Sequence, residues 1–188
     1  PMTEQYLKDE YEYEKNIYIP NSVDVDYANQ NKSLSDMNAT FEQLQKLKDD
    51  GKKLFMFTGA IVQSNSINMF VETAKKLKIK DIQIVLVGQG QERVKYEQIA
   101  KDESLSNISF LDPVDKKLVP KLLDYADVLL LIQGNVQWGS SNKLYDYLAA
   151  RKPIITSLYV KHNDVVEDIG CGYSSGYDNS DDMVKNIE

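Results

Sequence analysis

The sequence predicts an α/β protein with a Rossmann-like, doubly wound parallel sheet of about six strands and helices on both faces. Short runs that are apolar throughout, such as 82–87 (IQIVLV) and 127–132 (DVLLLI), alternate with segments whose apolar residues recur at helical spacing. Uniformly apolar strands are typical of parallel sheets, because helices cover both faces of such sheets. The regular alternation of the two patterns therefore predicts the fold class.

The elements of the first half follow from these patterns in chain order. Phe41, Leu44 and Leu47 recur at helical spacing before Gly51, so a helix is expected to end near Asp50. The elements predicted after it are a strand at 53–58, a helix at 67–77, a strand at 82–87, a helix at 91–101 and a strand at 108–111.

The second half continues the alternation. A helix is expected at 117–126, with Pro120 tolerated in its first turn. The remaining predicted elements are a strand at 127–132, a helix at 142–150, a strand at 153–156, a short helix at 165–169, a short strand after the turn 170–172, and a helix from Met183 onward.

The first 30 residues differ in composition from the rest of the chain. Five of the twelve tyrosines lie there among many acidic residues. We expect residues 1–30 to be a linker and entry segment, without core elements apart from the short run 17–19, and residues 31–188 to form one Rossmann-like domain.

Composition excludes several classes of function. The formal net charge is −7, and the basic residues are scattered, which argues against a nucleic-acid partner because phosphate binding needs a basic face. The one cysteine, Cys171, excludes an intramolecular disulfide and favours the reducing cytoplasm. Cys171 and the one histidine, His162, cannot together build a metal site of the usual His/Cys kind.

The strongest local feature is a turn of small residues that opens the helix after the most apolar strand. Ser140, Ser141 and Asn142 all favour helix N-caps, and the exposed N–H groups of such a turn form an anion site, to which Lys143 adds a charge. Asp146 lies one turn further along and can accept hydrogen bonds from a ribose diol. An ordinary capped helix with Asp146 as a surface acid explains the same residues equally well.

Two other motifs carry less weight. Gly88-Gln89-Gly90 begins like a dinucleotide fingerprint, but the third glycine is absent and the turn follows a middle strand. A tight turn between strand and helix is the simpler interpretation. Residues 23–26 (VDVD) resemble a pair of metal-binding carboxylates, but no third ligand is near, so turn chemistry is the preferred interpretation.

Several segments in colinear order resemble the C-terminal domain of group 1 glycosyltransferases with the GT-B fold, over about residues 15–175. Residues 19–24 (IPNSVD) resemble the segment that opens this domain, and residues 140–155 (SSNKLYDYLAARKPII) resemble the variant of its helix common in capsule, O-antigen and exopolysaccharide enzymes. The other similar segments are the turn at Gly59, 84–90 (IVLVGQG), 108–113 with 118–120 and 125–128, and the turn 170–172.

The resemblance implies a donor site built from strand-to-helix turns, with no bound metal or other cofactor and with retention of anomeric configuration. By position, Gly59 and Ala60 would approach the diphosphate, and the turn that contains Pro113 and Val114 would hold the base. The residues that would flank the phosphates are Ser140, Ser141 and Lys143, and Asp146 would take the ribose hydroxyls in place of the usual Glu. No residue of this chain is assigned as catalytic.

The resemblance also implies partners and a place of action. The expected partners are a nucleotide diphosphate sugar, an N-terminal acceptor-binding domain of the same protein, and a glycan or lipid-linked acceptor in bacterial polysaccharide biosynthesis. The expected location is the cytoplasm, with peripheral attachment to the inner membrane through the N-terminal domain as an alternative. A non-catalytic nucleotide-binding domain of the same fold and an unrelated NAD-binding domain are the competing hypotheses.

Besides Asp146, four positions depart from the family pattern. Ala60 and Gln63 stand where the family commonly has an Arg and a Lys that neutralise the diphosphate. Trp138 replaces an acid eight positions before Asp146, and Arg151 replaces a glycine. These departures weaken the expected affinity for the donor, unless Arg151 points into the cleft and supplies the missing charge.

Overall fold

A computed structural model describes residues 2–13, 15, 21–35, 37–79, 81–132, 141–157 and 165–188. Their strands form one sheet in which every pair of neighbours is parallel. The strands are β1 (Lys53–Thr58), β2 (Ile82–Val87), β3 (Ile108–Leu111), β4 (Val128–Ile132), β5 (Ile154–Ser157) and β6 (Gly172–Ser175).

The sheet has the order β3-β2-β1-β4-β5-β6, which places β1 at its centre. The helices are α1 (Met2–Tyr11), α2 (Val25–Asn31), α3 (Ala39–Asp49), α4 (Ile67–Lys76), α5 (Arg93–Asp102), α6 (Val119–Asp124), α7 (Asn142–Ala150), α8 (Val165–Asp168) and α9 (Ser180–Ile187). None of these described helices combines the length and the apolar composition that crossing a lipid bilayer requires.

The core lies in two layers, one on each face of the sheet. Successive side chains of a strand point to opposite faces, so in β1 Phe55 and Phe57 pack with α4, α5 and α9, whereas Leu54 and Met56 pack with α3, α6, α7 and α8. Both sets are buried, and the sheet is therefore covered on both faces. The predicted fold class and the central position of β1 are confirmed.

Most predicted elements agree with the structure within two residues. The exception in the second half is α9, which begins at Ser180 rather than Met183. The Asn179 side chain accepts hydrogen bonds from the N–H groups of Asp181 and Asp182, and this cap starts the helix three residues earlier than the apolar pattern does.

Two helices, α1 and α2, lie in the N-terminal segment, where the sequence pattern predicted none. The Asp24 carboxylate accepts a hydrogen bond from the N–H of Tyr27, so this residue of the VDVD motif caps α2, in agreement with the turn interpretation. Helix α2 packs against α6 and α7 and buries Ala28. The run 17–19 lies outside the described residues.

Asp127 joins β1 to β4 at the amino end of the sheet. Its carboxylate accepts a hydrogen bond of 2.7 Å from the N–H of Leu54 and one of 2.5 Å from Lys48 Nζ. Desolvation opposes the charge on this carboxylate, but the hydrogen bonds from Lys48 and Leu54 outweigh it and lower the pKa of Asp127 below 3.8. The ionised form therefore stabilises the folded state.

Replacing Asp127 by Asn is expected to lower the free energy of unfolding at pH 7 by about 1–2 kcal/mol, because a charge-assisted pair becomes a neutral one. A carboxyl group whose pKa is lowered by folding contributes stability above its unfolded pKa and loses it as the pH falls through the folded value. Urea denaturation should therefore show a difference between parent and Asp127→Asn that shrinks below pH 4.

The matched control is Asp124→Asn, which removes an acid on an exposed pair with Lys152 at 3.8 Å. Such a pair should contribute less than about 1 kcal/mol at pH 7. Equal losses in both variants, or a difference for Asp127 that does not depend on pH, would contradict the assignment.

Candidate functional site

The candidate site lies at the carboxyl edge of the sheet, between β1 and β4. The helix that follows β1 covers one face and the helix that precedes β5 covers the other, so the two connections diverge at this point. Ligands of open α/β sheets bind at such switch points, outside the carboxyl ends of the strands. Gly59 follows β1 and Ser141 opens α7, and both residues therefore lie at the same edge, as predicted.

The turn after β1 is packed against the turn after β2. The N–H of Gly59 donates to Val87 at 3.0 Å and that of Ile61 donates to Gln89 at 2.9 Å. A Cβ on Gly88 would overlap the carbonyl oxygen of Gly59, and one on Gly90 would overlap that of Ile61. The Gly-x-Gly pattern is thus explained by the close approach of the two turns, as the simpler interpretation of the motif proposed.

Lys143 places its side chain against Gly59. Gly59 has a φ of 144°, a conformation that favours glycine, and a Cβ there would collide with Lys143 Cε. The Lys143 ammonium lies 5.5 Å from the centroid of the Phe57 ring. Desolvation in this half-buried position lowers the pKa of Lys143 below 10.5. The turn after β1 therefore has a cation beside it, although it carries Ala60 and Gln63.

The first turn of α7 faces this edge. Ser141 occupies the N-cap position in an extended conformation, but its side chain makes no capping hydrogen bond. Asn142 accepts a hydrogen bond of 2.8 Å from the side chain of Asn21, which ties the N-terminal segment to the start of α7. Ser140 and Trp138 lie outside the described residues.

Tyr147 fastens α7 to both central strands. It is fully buried, and its hydroxyl oxygen accepts a hydrogen bond of 3.0 Å from the N–H of Thr58 and lies 3.5 Å from the carbonyl oxygen of Leu130, to which it donates. Burial raises the pKa of Tyr147 to about 12, so the phenol stays protonated. The position of α7 relative to the ends of β1 and β4 is thereby fixed.

Asp146 lines a cavity of about 400 Å³ between α2, α6 and α7. Lys116 and Tyr27 line the same cavity. Desolvation raises the pKa of Asp146, and the positive charge of Lys116 opposes the rise. Along α7 the cation thus lies beside Gly59 and the acid lines this cavity, which we call the α2–α6 groove; that both line one cleft stays a prediction.

The turn at 111–114 is held from three directions. The Thr40 hydroxyl donates to the carbonyl of Asp112 at 2.9 Å, and the side chains of Gln89 and Arg93 donate to the Asp112 carboxylate at 3.0 and 2.7 Å. Pro113 and Val114 follow in the chain, and Val114 packs against the core on the α6 and α7 face. The base-side turn of the expected site is therefore a fixed structure.

Arg93, Gln89, Thr40 and Lys116 were not among the predicted site residues. One signal could have identified Arg93: a cation in the first turn of a helix opposes the helix macrodipole, so such a residue needs another reason to be there. The contacts of the other three depend on which loops meet at the sheet edge, and no local pattern indicates that.

Arg151 is at the wrong end of α7 to act on the site. It ends the helix at the amino edge of the sheet, with a φ of 58°, and lines a cavity of about 760 Å³ with Cys171 and Gly172. Arg151 therefore does not supply the charge that Ala60 and Gln63 lack.

The part of the chain that the structure describes contains no set of side chains that could bind a metal ion. Those residues contain no group of three or more His, Cys, Asp or Glu side chains that could hold an ion. Burial raises the pKa of the Cys171 thiol, and His162 lies outside the described residues.

One curated relative is a 2-deoxystreptamine N-acetyl-D-glucosaminyltransferase of Niallia circulans, 32% identical over 110 residues. That match covers 57% of this chain and 28% of the relative, so the chain spans little more than a quarter of that protein.

Two solved structures share the fold. TarM of S. aureus, crystallised with UDP, Fondaparinux and α-GlcNAc-glycerol, has a TM-score of 0.73 at 15% identity over 99% of this chain and 34% of its own. WaaG, a glycosyltransferase involved in lipopolysaccharide biosynthesis, has a TM-score of 0.68 at 18% identity, over 96% of this chain and 49% of its own.

The family model described as "Glycosyl transferases group 1" matches residues 52–188, which run from the start of β1 through α9. The matched region contains all six strands of the sheet and the helix α7 that carries Lys143 and Asp146. This chain therefore belongs to the group 1 glycosyl transferase family.

Proposed function

We propose that this chain is the donor-binding domain of a retaining glycosyltransferase. The enzyme moves a sugar from a nucleotide diphosphate sugar to a glycan or lipid-linked acceptor in polysaccharide biosynthesis. The observation that carries the proposal is the position of Lys143, whose half-buried ammonium lies beside Gly59 at the switch point of the sheet.

The diphosphate is proposed to bind between the Gly59 turn and the first turn of α7. Ala60 and Gly59 offer backbone without bulky side chains, and Ser141 offers a hydroxyl that does not cap its own helix. The N-terminus of α7 adds the positive end of a helix dipole. Together with Lys143 these groups would stabilise the negative charge that develops on the leaving nucleotide during transfer.

One desolvated cation can partly replace the two basic residues that Ala60 and Gln63 displace. Electrostatic attraction grows as the local dielectric falls, so a half-buried ammonium attracts a phosphate more strongly than an exposed one. The lowered pKa of Lys143 records this low-dielectric surrounding. Binding of a dianion next to it would restore the preference for the charged ammonium.

The nucleoside is proposed to extend from there toward the α2–α6 groove. Asp146 would accept hydrogen bonds from the ribose hydroxyls, and the backbone at Pro113 and Val114 would contact the base. The relatives support a nucleotide-sugar donor in general: the TarM structure contains UDP, and the Niallia circulans relative is named for N-acetylglucosaminyl transfer. No metal is assigned a role in this proposal.

The acceptor is proposed to be held by an N-terminal domain that faces this edge. Holding two reactants in the right geometry can supply about 7–11 kcal/mol of a barrier, and a donor domain alone forgoes that contribution. The proposed partners are therefore that domain, the donor and the acceptor, and the enzyme is expected to act in the cytoplasm or at the inner membrane surface.

A non-catalytic nucleotide-binding domain is the second candidate. Ala60 and Gln63 favour it, because they leave the turn after β1 without a basic side chain of its own. Both candidates bind nucleotide, so a donor-hydrolysis and transfer assay on the protein with its N-terminal domain separates them.

The 188-residue chain alone is expected to bind a nucleoside diphosphate weakly and to transfer no sugar. Isothermal titration with UDP and with GDP measures binding, and a radiolabelled-donor assay measures transfer, on this chain and on a longer protein that includes the N-terminal domain. Transfer by this chain at the rate of the longer protein would overturn the two-domain proposal. Binding of neither nucleotide would overturn the donor site.

Replacing Lys143 by Met is expected to weaken binding of UDP or GDP by roughly 10- to 100-fold, the equivalent of losing one charge-assisted hydrogen bond. Because desolvation lowers the pKa of Lys143 in the free protein, the affinity of the parent should fall as the pH rises above neutrality through that value. Lys143→Arg keeps the charge at all these pH values and should flatten the profile. Titration between pH 7.5 and pH 10 measures both effects.

Lys152→Met is the control for this experiment, since Lys152 lies at the amino end of the sheet and bonds to Asp124. It should leave nucleotide affinity unchanged within about twofold. Identical pH profiles in the parent and in Lys143→Arg would show that Lys143 does not contact the diphosphate.

Replacing Asp146 by Ala is expected to weaken nucleotide binding by about 1–3 kcal/mol, the cost of leaving the ribose hydroxyls without their acceptor. A 2′,3′-dideoxy nucleotide should bind parent and variant equally, because it has no hydroxyls for the carboxylate to accept. The control is Asp168→Ala, an exposed acid on α8. Equal affinity of the ribonucleotide for parent and Asp146→Ala would disprove the ribose role.

A further inference from the structure

The Arg93 guanidinium gathers the ends of two neighbouring strands into one cluster. It donates from Nη1 to the carbonyl oxygen of Gly88 at 3.0 Å and to that of Leu111 at 3.3 Å, and from Nη2 to that of Phe110 at 3.3 Å. It also donates to the carboxylates of Glu97 at 2.6 Å and Asp112 at 2.7 Å. One side chain thus serves five acceptors.

These acceptors lie where β2 and β3 end. The carbonyl oxygen of Leu111 also accepts a hydrogen bond of 3.0 Å from the N–H of Gly88, so the two strand ends are bonded to each other as well as to Arg93. Arg93 has a side chain that is 13% exposed, whereas its partner Asp112 is 70% exposed. The guanidinium is therefore part of the packed edge, and Asp112 is the point where that edge meets solvent.

A continuous path of contacts runs from the diphosphate side to the base side through Arg93. The N–H of Ile61 donates to Gln89 at 2.9 Å, which joins the turn after β1 to the turn after β2. Arg93 and the Gln89 side chain then both bind the Asp112 carboxylate in the turn after β3. Three consecutive turns of the carboxyl edge are thus connected in series.

We infer that Arg93 is a positioning residue that fixes the distance between the turn at Gly59 and the turn at Pro113 and Val114. The inference rests on the proposed function, in which those turns hold the diphosphate and the base of one nucleotide. A ligand that spans both turns needs them at one separation, whereas a ligand that occupies one turn does not. Arg93 touches neither part of the ligand and acts through Asp112 and Gly88.

Only a guanidinium among the side chains fits this place. It offers five N–H donors in one plane, and the carbonyl groups of two parallel strands end side by side in a matching row. A lysine ammonium presents three donors from one point and cannot reach both strand ends at once. The position in the first turn of α5 opposes the helix dipole, so these contacts must outweigh that cost.

The test compares a spanning probe with a short one. UDP, or GDP if it binds more tightly, spans both turns, and inorganic pyrophosphate occupies the diphosphate side alone. Arg93→Met is expected to weaken binding of the nucleoside diphosphate by about tenfold and binding of pyrophosphate by less than about twofold. Isothermal titration measures both affinities. Arg93→Lys should recover little of the loss.

The matched control is Lys75→Met. Replacing Lys75 also removes two ion pairs, at 2.8 Å to Glu72 and 2.7 Å to Glu103, but these join the C-terminal ends of α4 and α5. Its variant should bind both probes like the parent. A general loss of structure in Arg93→Met would instead weaken binding of both probes, and thermal melting would reveal the loss.

Asp112→Ala provides a second test if Arg93→Met does not fold. It releases the turn after β3 from Arg93 and Gln89 while the contacts of Arg93 to Gly88 remain. We expect its affinity for the nucleoside diphosphate to fall by about three- to fivefold and its affinity for pyrophosphate to stay unchanged.

The outcomes separate the two proposals. If the parent binds no nucleoside diphosphate, the proposed function fails. Suppose that the parent binds it. If Arg93→Met and Asp112→Ala bind it as tightly as the parent, or if their affinities for both probes fall by the same factor, the positioning role fails and the proposed function stands.

Discussion

The hydrogen bond from the N–H of Thr58 to Tyr147 is the contact on which the geometry of the candidate site depends. Strands β1 and β4 pair at Phe55–Val128 and Met56–Leu129, and two residues later β1 has no partner on that side from β4. The Tyr147 hydroxyl takes that place and also bonds to Leu130. The pairing of the two strands can therefore end at this point without leaving the N–H of Thr58 unsatisfied.

The same contact explains where the cation lies. Lys143 is four residues before Tyr147, so both side chains project from one face of α7. Because Tyr147 fixes that face against the end of β1, Lys143 must lie over the next residues of the chain, which are those of the Gly59 turn. Gly59 lacks a Cβ that would exclude the lysine side chain. One face of α7 thus meets one glycine turn, and this contact places the Lys143 ammonium at the carboxyl edge of the sheet.

Much of the fold could be predicted because parallel strands carry an unambiguous pattern. The run 82–87 is buried at every position, and its bounds agree with the structure at both ends. Helix α2 could not be predicted in this way, since in VDYANQN the one buried residue is Ala28, and its formation depends on the Asp24 cap and on packing against α6 and α7. Apolar residues recur at helical spacing only when several positions on one face of a helix are buried. A helix with one buried residue therefore has no such pattern in its sequence.

The site was predictable to a smaller extent, and for a related reason. The positions of Gly59, Ser141 and Lys143 follow from strand order, because every strand-to-helix turn of a parallel sheet lies at one edge. The side of α7 that Asp146 faces, and the contacts of Arg93, depend on which neighbours pack beside each turn. That information is distributed over residues far apart in the chain, such as Gly88 and Asp112, and no window of sequence contains it.

The glycines after β2 show how the same motif can serve different chemistry on one fold. In a dinucleotide-binding turn the glycines allow a pyrophosphate to approach the backbone. Here the space beside Gly88 and Gly90 is filled by the backbone of Gly59 and Ile61, and Arg93 covers the end of the strand. The glycines after β2 therefore allow the backbone of the neighbouring turn to lie where a side chain would otherwise stand. The packing of these two turns therefore explains both glycines without a dinucleotide.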